Sequence, residues 1–201
     1  MNQEKVWDAV ASKWAEFRNR PVDEVKEFLK GKSGKVLDLG CGSGRNFIDS
    51  KDLEIYGVDF SSKLLDIAKG MDYVELKKGT TDKILCKDEF FDFVVFVRVL
   101  HCVEGEEKRR ETLKEIYRVL KKGGEAVIST IGPQNKRVKN KPKEGVIPWT
   151  VGEKKYERYN YTYDKDEFEE QLKDAGFEII SLEEGWNIVG IVRKGLSQKN
   201  L

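Results

Sequence analysis

The chain has 201 residues, enough for one α/β domain with its own core and too few for two comfortable ones. Lys and Arg number 37 against 36 Asp and Glu, a formal charge of +1, so net charge leaves no footprint for a polyanion and only local clusters can. Three cysteines, one histidine and no Cys-x-x-Cys exclude the usual Cys/His zinc site, and no apolar run nears the roughly 18 residues of a membrane span.

Trp7, Val10, Trp14 and Phe17 fall three, four and three residues apart, which predicts one apolar helix face. That face either packs on the body or closes over a ligand as a lid. Pro21 opens a second helix through Val22, Val25, Phe28 and Leu29, so residues 1–30 read as N-terminal helices. Residues 35–39 read as a short buried strand, closed by the loop Gly40-Cys41-Gly42-Ser43-Gly44. Residues 55–58 form a second strand, and Ser61 or Ser62 caps a helix over 63–69. Residues 73–76 are a third strand, and the most apolar one, FDFVVFV at 91–97, is expected at the centre of a sheet. A helix over 108–120 turns Leu113, Ile116, Tyr117 and Leu120 inward and stops at Gly123-Gly124, before a fifth strand at 126–131.

The rhythm breaks at Gly132, where Pro133, Pro142, Gly145 and Pro148 predict a long polar loop to about residue 155. A helix over 165–175 and strands at 177–182 and 186–192 follow, the last two close enough for an antiparallel hairpin. Strands alternating with helices predict an α/β fold with a doubly wound, mostly parallel seven-stranded sheet and a C-terminal antiparallel hairpin. Residues 1–201 read as one domain carrying an insertion at 132–163.

Ligands of such sheets sit at the carboxyl ends of strands near the switch point. Gly40, Gly42 and Gly44 let backbone approach a ligand there, and Asp59, ending the second strand, offers a carboxylate to both hydroxyls of a ribose. A dinucleotide fingerprint needs a third glycine where Arg45 stands. VLDLGCGSGRNF, with Asp59, FDFVVFV and KKGGEAVI, instead resembles the motif set of class I methyltransferases. That resemblance implies a Rossmann-like methyltransferase fold and S-adenosylmethionine as cofactor. It implies that Asp38, Gly40, Cys41, Gly42 and Gly44 hold the methionine part, with Asp59 on the ribose and Phe60, Thr81 and Arg98 completing the walls. GTTDKIL departs from the family's Gly-Asp-Ala: Thr80 stands at the adenine-binding carboxylate, and either Thr80 or Asp82 takes that contact.

The absence of Asn/Asp-Pro-Pro-Tyr/Phe after the fourth strand argues against amino-methylation, and the absence of Pro-Cys argues against pyrimidine C5 chemistry. WDAVASKWAEFRNRP, RVLHCVEGEEKRRETLKEIYRVLKKGG, IPW, ERYNYTYDKDEF and EGWNIV resemble the tRNA wobble-uridine carboxymethyl methyltransferases over nearly the whole chain. Phe17 replaces that family's threonine, Cys102 its second histidine, and Asn160-Tyr161 its Tyr-His. The resemblance implies esterification of 5-carboxymethyluridine in tRNA, and a small zinc-binding activator protein as partner.

A carboxylate with a pKa near ~4 is already a nucleophile at neutral pH and needs alignment rather than a general base. Arginine suits it by binding bidentately. Arg18 and Arg158 are therefore the expected acceptor clamp, with His101 and Tyr161 secondary. Trp149 and Trp186 belong either to the core or to the site. Tyr159, Tyr161 and Tyr163 share one face of an extended chain and either line a sheet edge or stack on a base. KRVKNKPK (136–143), Lys108-Arg109-Arg110 and Lys121-Lys122 are candidate phosphate contacts. The rivals are a small-molecule O-methyltransferase of the same fold and a non-catalytic cofactor- and RNA-binding subunit. Reduced thiols and no apolar leader at the N-terminus give a cytoplasmic expectation.

Overall fold

A computed structural model describes residues 2–196. Helices α1 (Gln3–Glu16) and α2 (Asp23–Leu29) precede strand β1 (Gly34–Leu39). There follow β2 (Leu53–Asp59), α3 (Ser62–Ala68), β3 (Glu75–Lys78), β4 (Phe91–Val97), α4 (Glu106–Val119) and β5 (Leu120–Ile131). The chain continues through β6 (Glu144–Val151), β7 (Lys154–Tyr161), α5 (Lys165–Asp174), β8 (Phe177–Glu184) and β9 (Asn187–Lys194). Among the described residues, seven strands form one sheet in the order β3-β2-β1-β4-β5-β9-β8. The first five are parallel, and β9 is antiparallel to both β5 and β8. Among the described residues, no helix is long and apolar enough to cross a membrane.

Side-chain alternation explains why the central strands read as unbroken apolar runs. Leu37, Leu39, Val94 and Phe96 enter the core shared with Leu113 and Ile116 of α4 and Phe168 of α5. Val36, Val95 and Val97 enter the opposite core, against Val25 and Phe28 of α2. A third cluster joins Trp7, Val10 and Ala11 of α1 to Leu64 of α3. Ser61 is the cap of α3, accepting from the Leu64 amide at 3.2 Å.

Three local expectations are corrected. The third strand runs over Glu75–Lys78 rather than 73–76, with Tyr73 on the approach to it and its phenol on Asp38. Helix α4 passes into β5 without a loop, and its strand begins at Leu120, before the two glycines. The expected loop after Gly132 contains an antiparallel two-stranded sheet, β6 with β7, turned through Gly152 at φ 60°. Pro148 is tolerated there because each strand of an isolated pair has one edge with no ladder to keep.

Candidate functional site

Strand order reverses around β1, between β2 and β4, and the chain opens a cavity of about 510 Å³ at the carboxyl ends of these strands. That volume suits a small-molecule ligand. One wall is the glycine loop. Gly40 has φ 69°, and a Cβ there would stand 2.6 Å from Val99 Cγ2, so any side chain would displace the neighbouring loop. Gly42 donates its amide to Asp59 Oδ2, and Ser61 donates to Oδ1, both at 2.8 Å. Asp59 therefore braces the loop while each oxygen keeps a lone pair for a ligand hydroxyl. Burial raises its pKa to about 6, opposed by those amide donors. Beneath the loop, Asp38 accepts from Tyr73 Oη at 2.7 Å, and burial lifts its pKa to about 7.

The rest of the lining is strongly cationic. Arg18, Arg45, Arg98, Arg137 and Arg158 all border the cavity. Arg98 pairs with Glu24 at 3.0 Å, Arg45 donates to the Arg20 carbonyl at 3.0 Å, and Arg18 donates to the Phe17 carbonyl at 3.3 Å and lies over the Trp14 ring at 4.9 Å. Burial, then neighbouring arginines, lowers the pKa of Arg45 to about 10 and lowers that of Arg18. Arg158 is buried, and among the described residues no hydrogen bond or carboxylate partner reaches it. Aromatic faces hold it instead: its guanidinium carbon lies 5.3 Å from the Trp7 ring, 4.9 Å from Trp14 and 5.3 Å from Trp149. His101, on the short turn Leu100–Cys102, has a buried Nδ1 without a partner. Burial and then Arg158, Arg98 and Arg137 depress its pKa to about 3, so the imidazole is neutral at pH 7.

Arg18, Gly40, Cys41, Gly42, Asp59, Phe60, Arg98, His101 and Arg158 thus converge on one cavity. The other expected residues lie elsewhere. Asp38 and Gly44 lie outside the lining, and Gly44 faces Met71, Tyr73 and Ala68. Thr80 bridges to Lys83, Thr81 Oγ1 meets Thr112 Oγ1 at 2.9 Å, and neither these nor Asp82 borders the cavity. Tyr161 points away: it donates to Glu167 at 2.6 Å, and Arg109 stacks on it at 3.8 Å.

Sequence reasoning missed Asn160, which is buried in the cavity wall with an unpartnered Oδ1. Alternation would have found it, because residues 158 and 160 of a strand share a face that 161 does not. Of the basic clusters, Arg109 is buried on Tyr159, Arg110 pairs with Glu106 and Asp174, and Lys121 pairs with Asp92. Lys143 is tied to Asp164 at 2.9 Å and Glu167 at 2.7 Å, whereas Lys136 and Arg137 stand exposed at the rim.

A methyltransferase domain family model matches residues 13–182. A tRNA (carboxymethyluridine(34)-5-O)-methyltransferase of Schizosaccharomyces pombe is 25% identical, over 91% of this chain and 90% of that protein. The protein so described from Xenopus tropicalis is 31% identical over 69% of this chain, which spans only 22% of that longer protein. Among solved structures, the methyltransferase bound to the Trm112 methyltransferase activator of Haloferax volcanii superposes with a TM-score of 0.76. It is 18% identical, covering 96% of this chain and 98% of that one, so the likeness is one of fold.

Proposed function

The chain belongs to the methyltransferase domain family, and from that premise we propose a tRNA methyltransferase that esterifies the carboxylate of 5-carboxymethyluridine at the wobble position. The observation carrying this reading is Arg158, a buried cation held by three indole rings and, among the described residues, lacking an anion of its own. Burying such a charge costs several kcal/mol unless something pairs with it, and a ligand carboxylate pairs bidentately with a guanidinium.

The residues facing it fit S-adenosylmethionine, the cofactor of this class: Gly42, with no atom nearer than 4.0 Å to where a Cβ would stand, leaves room for a ligand beside the backbone, and Asp59 presents a carboxylate for a ribose. When bound, that cofactor supplies a methyl group on a positively charged sulfur. Arg158 and Arg18 bind and orient the acceptor carboxylate between the two walls. His101, kept neutral, donates or accepts a hydrogen bond without adding charge. No residue has to remove a proton, because the acceptor is already anionic at neutral pH. The activity for which the relatives are named and the exposed Lys136 and Arg137 at the rim support tRNA as the substrate. A small zinc-binding activator protein remains the proposed partner, in keeping with the Haloferax neighbour's complex.

Single-turnover transfer to tRNA bearing 5-carboxymethyluridine tests the reading. Methyl ester should form there and not on tRNA with unmodified uridine. Equal transfer to both would remove the carboxylate acceptor.

A further inference from the structure

Trp186 occupies the turn between β8 and β9, and its side chain is 62% exposed. Single exposed apolar residues need no explanation, but this one has a particular place. Of the large apolar side chains exposed among the described residues, Trp186 alone borders the cavity. Its backbone is fixed: the Trp186 carbonyl accepts from the Gly132 amide at 3.3 Å, tying the turn to the end of β5. Lys136 Nζ lies 5.3 Å from the ring centroid, and Arg137 shares the rim.

The position separates this indole from the cofactor wall. Asp59 ends β2, whereas Trp186 immediately precedes β9, four strand spacings across the sheet, or roughly 19 Å. An exposed indole on an anchored turn, with Lys136 over one face and Arg137 at the same rim, is a combination that binds single-stranded nucleic acid: the free face of the ring stacks on a base and the cations take its phosphates. A small apolar acceptor would gain nothing from Lys136 and Arg137 there.

We propose that Trp186, Lys136 and Arg137 form a stacking subsite for the nucleobase adjacent to the reacting uridine, which rests on the RNA reading above. The subsite gives the enzyme a hold on single-stranded RNA that is separate from the carboxylate clamp, so it sets substrate affinity rather than the chemical step.

The test uses the full chain and a synthetic anticodon stem-loop RNA carrying 5-carboxymethyluridine, with versions abasic at either flanking position. Trp186→Ala should weaken stem-loop binding about tenfold, while Trp186→Phe, which keeps an aromatic plane, should lose about threefold or less. One abasic RNA should lose affinity for the wild type and lose less than about twofold more for Trp186→Ala, because the two changes remove the same contact. Affinity for S-adenosylmethionine and the melting temperature should not move. An unchanged stem-loop affinity in Trp186→Ala, abasic penalties identical in both proteins, or a loss confined to the cofactor would overturn the subsite. If the wild type binds and methylates the stem-loop while Trp186→Ala behaves identically, only this subsite fails. If the wild type neither binds nor methylates it, the tRNA reading falls and the subsite falls with it.

Discussion

Tyr73 Oη donates a 2.7 Å hydrogen bond to Asp38 Oδ2, joining the approach to β3 to the carboxylate beneath the glycine loop. Asp38 still carries a pKa raised to about 7, chiefly by burial, and Asp59 one raised to about 6. Both groups take up protons on folding above their ordinary range, so each contributes stability at low pH that is lost as pH rises through the folded value. His101 acts oppositely: with its pKa lowered to about 3, it contributes stability that grows as pH rises to about 6.5. Around pH 4 to 5 the carboxylates that folding makes more acidic, Glu54, Glu115, Glu125 and Glu169 among them, add stability as pH rises and oppose the fall. Above about pH 5, where those groups are ionised in both states, Asp38 and Asp59 against His101 leave about one proton taken up, a fall on the order of 1 kcal/mol per pH unit toward pH 6 in the cofactor-free protein. Denaturant unfolding at pH 5 and 6 measures it; Asp38→Asn should remove the fall, and a wild type whose stability climbs from pH 5 to 6 would contradict these assignments.

Asp59→Ala should weaken binding of S-adenosylmethionine by ~1.5–3 kcal/mol, the range for hydrogen bonds to a charged group. Calorimetry on both proteins reads it, with Ser61→Ala as the control for the helix cap alone. Unchanged affinity would mean that Asp59 only braces the loop.

Arg158 separates function from stability. Arg158→Met should lose on the order of 2–4 kcal/mol of transition-state stabilisation in methyl transfer. Its melting temperature should equal or exceed that of the wild type, because a buried charge without a partner has been removed. Arg158→Lys should also fail substantially, since an ammonium lacks the planar fork. Full activity in the Lys variant would remove the clamp.

Changing Lys136, Arg137, Lys139 and Lys141 together to Ser should flatten the salt dependence of tRNA binding and spare the cofactor. Lys143→Ser should instead lower the melting temperature, because its ammonium already pairs with Asp164 and Glu167. A salt slope that stays put in the fourfold variant would make this run ordinary surface.

The sheet was legible because its central strands are buried on both faces, so FDFVVFV and its neighbours announce themselves by composition. The glycine loop and Asp59 were legible because close backbone approach and a strand-end carboxylate leave a spacing in the sequence. The β6–β7 ribbon was not, because Gly145 and Pro148 are breakers in most contexts and are harmless only where a strand has a free edge. Tyr161 was misplaced for a related reason: a resemblance matches positions along the chain, whereas the pleat decides which of two neighbours faces the ligand. The aromatic hold on Arg158 joins α1 to β6 and β7, a long-range contact to which no local pattern points.

Gln3 Oε1 accepts from the Tyr159 amide at 2.9 Å across 156 positions of chain. The parallel sheet can close without that contact, but the cationic wall cannot, since Trp7 and Trp14 precede the sheet in sequence and Arg158 follows most of it. Assembly of the site needs a closure across 156 positions of chain, so it is expected late in folding. During refolding, far-ultraviolet circular dichroism should recover before the fluorescence of the tryptophans around Arg158. A protein caught between those two signals would have its fold and no enzyme.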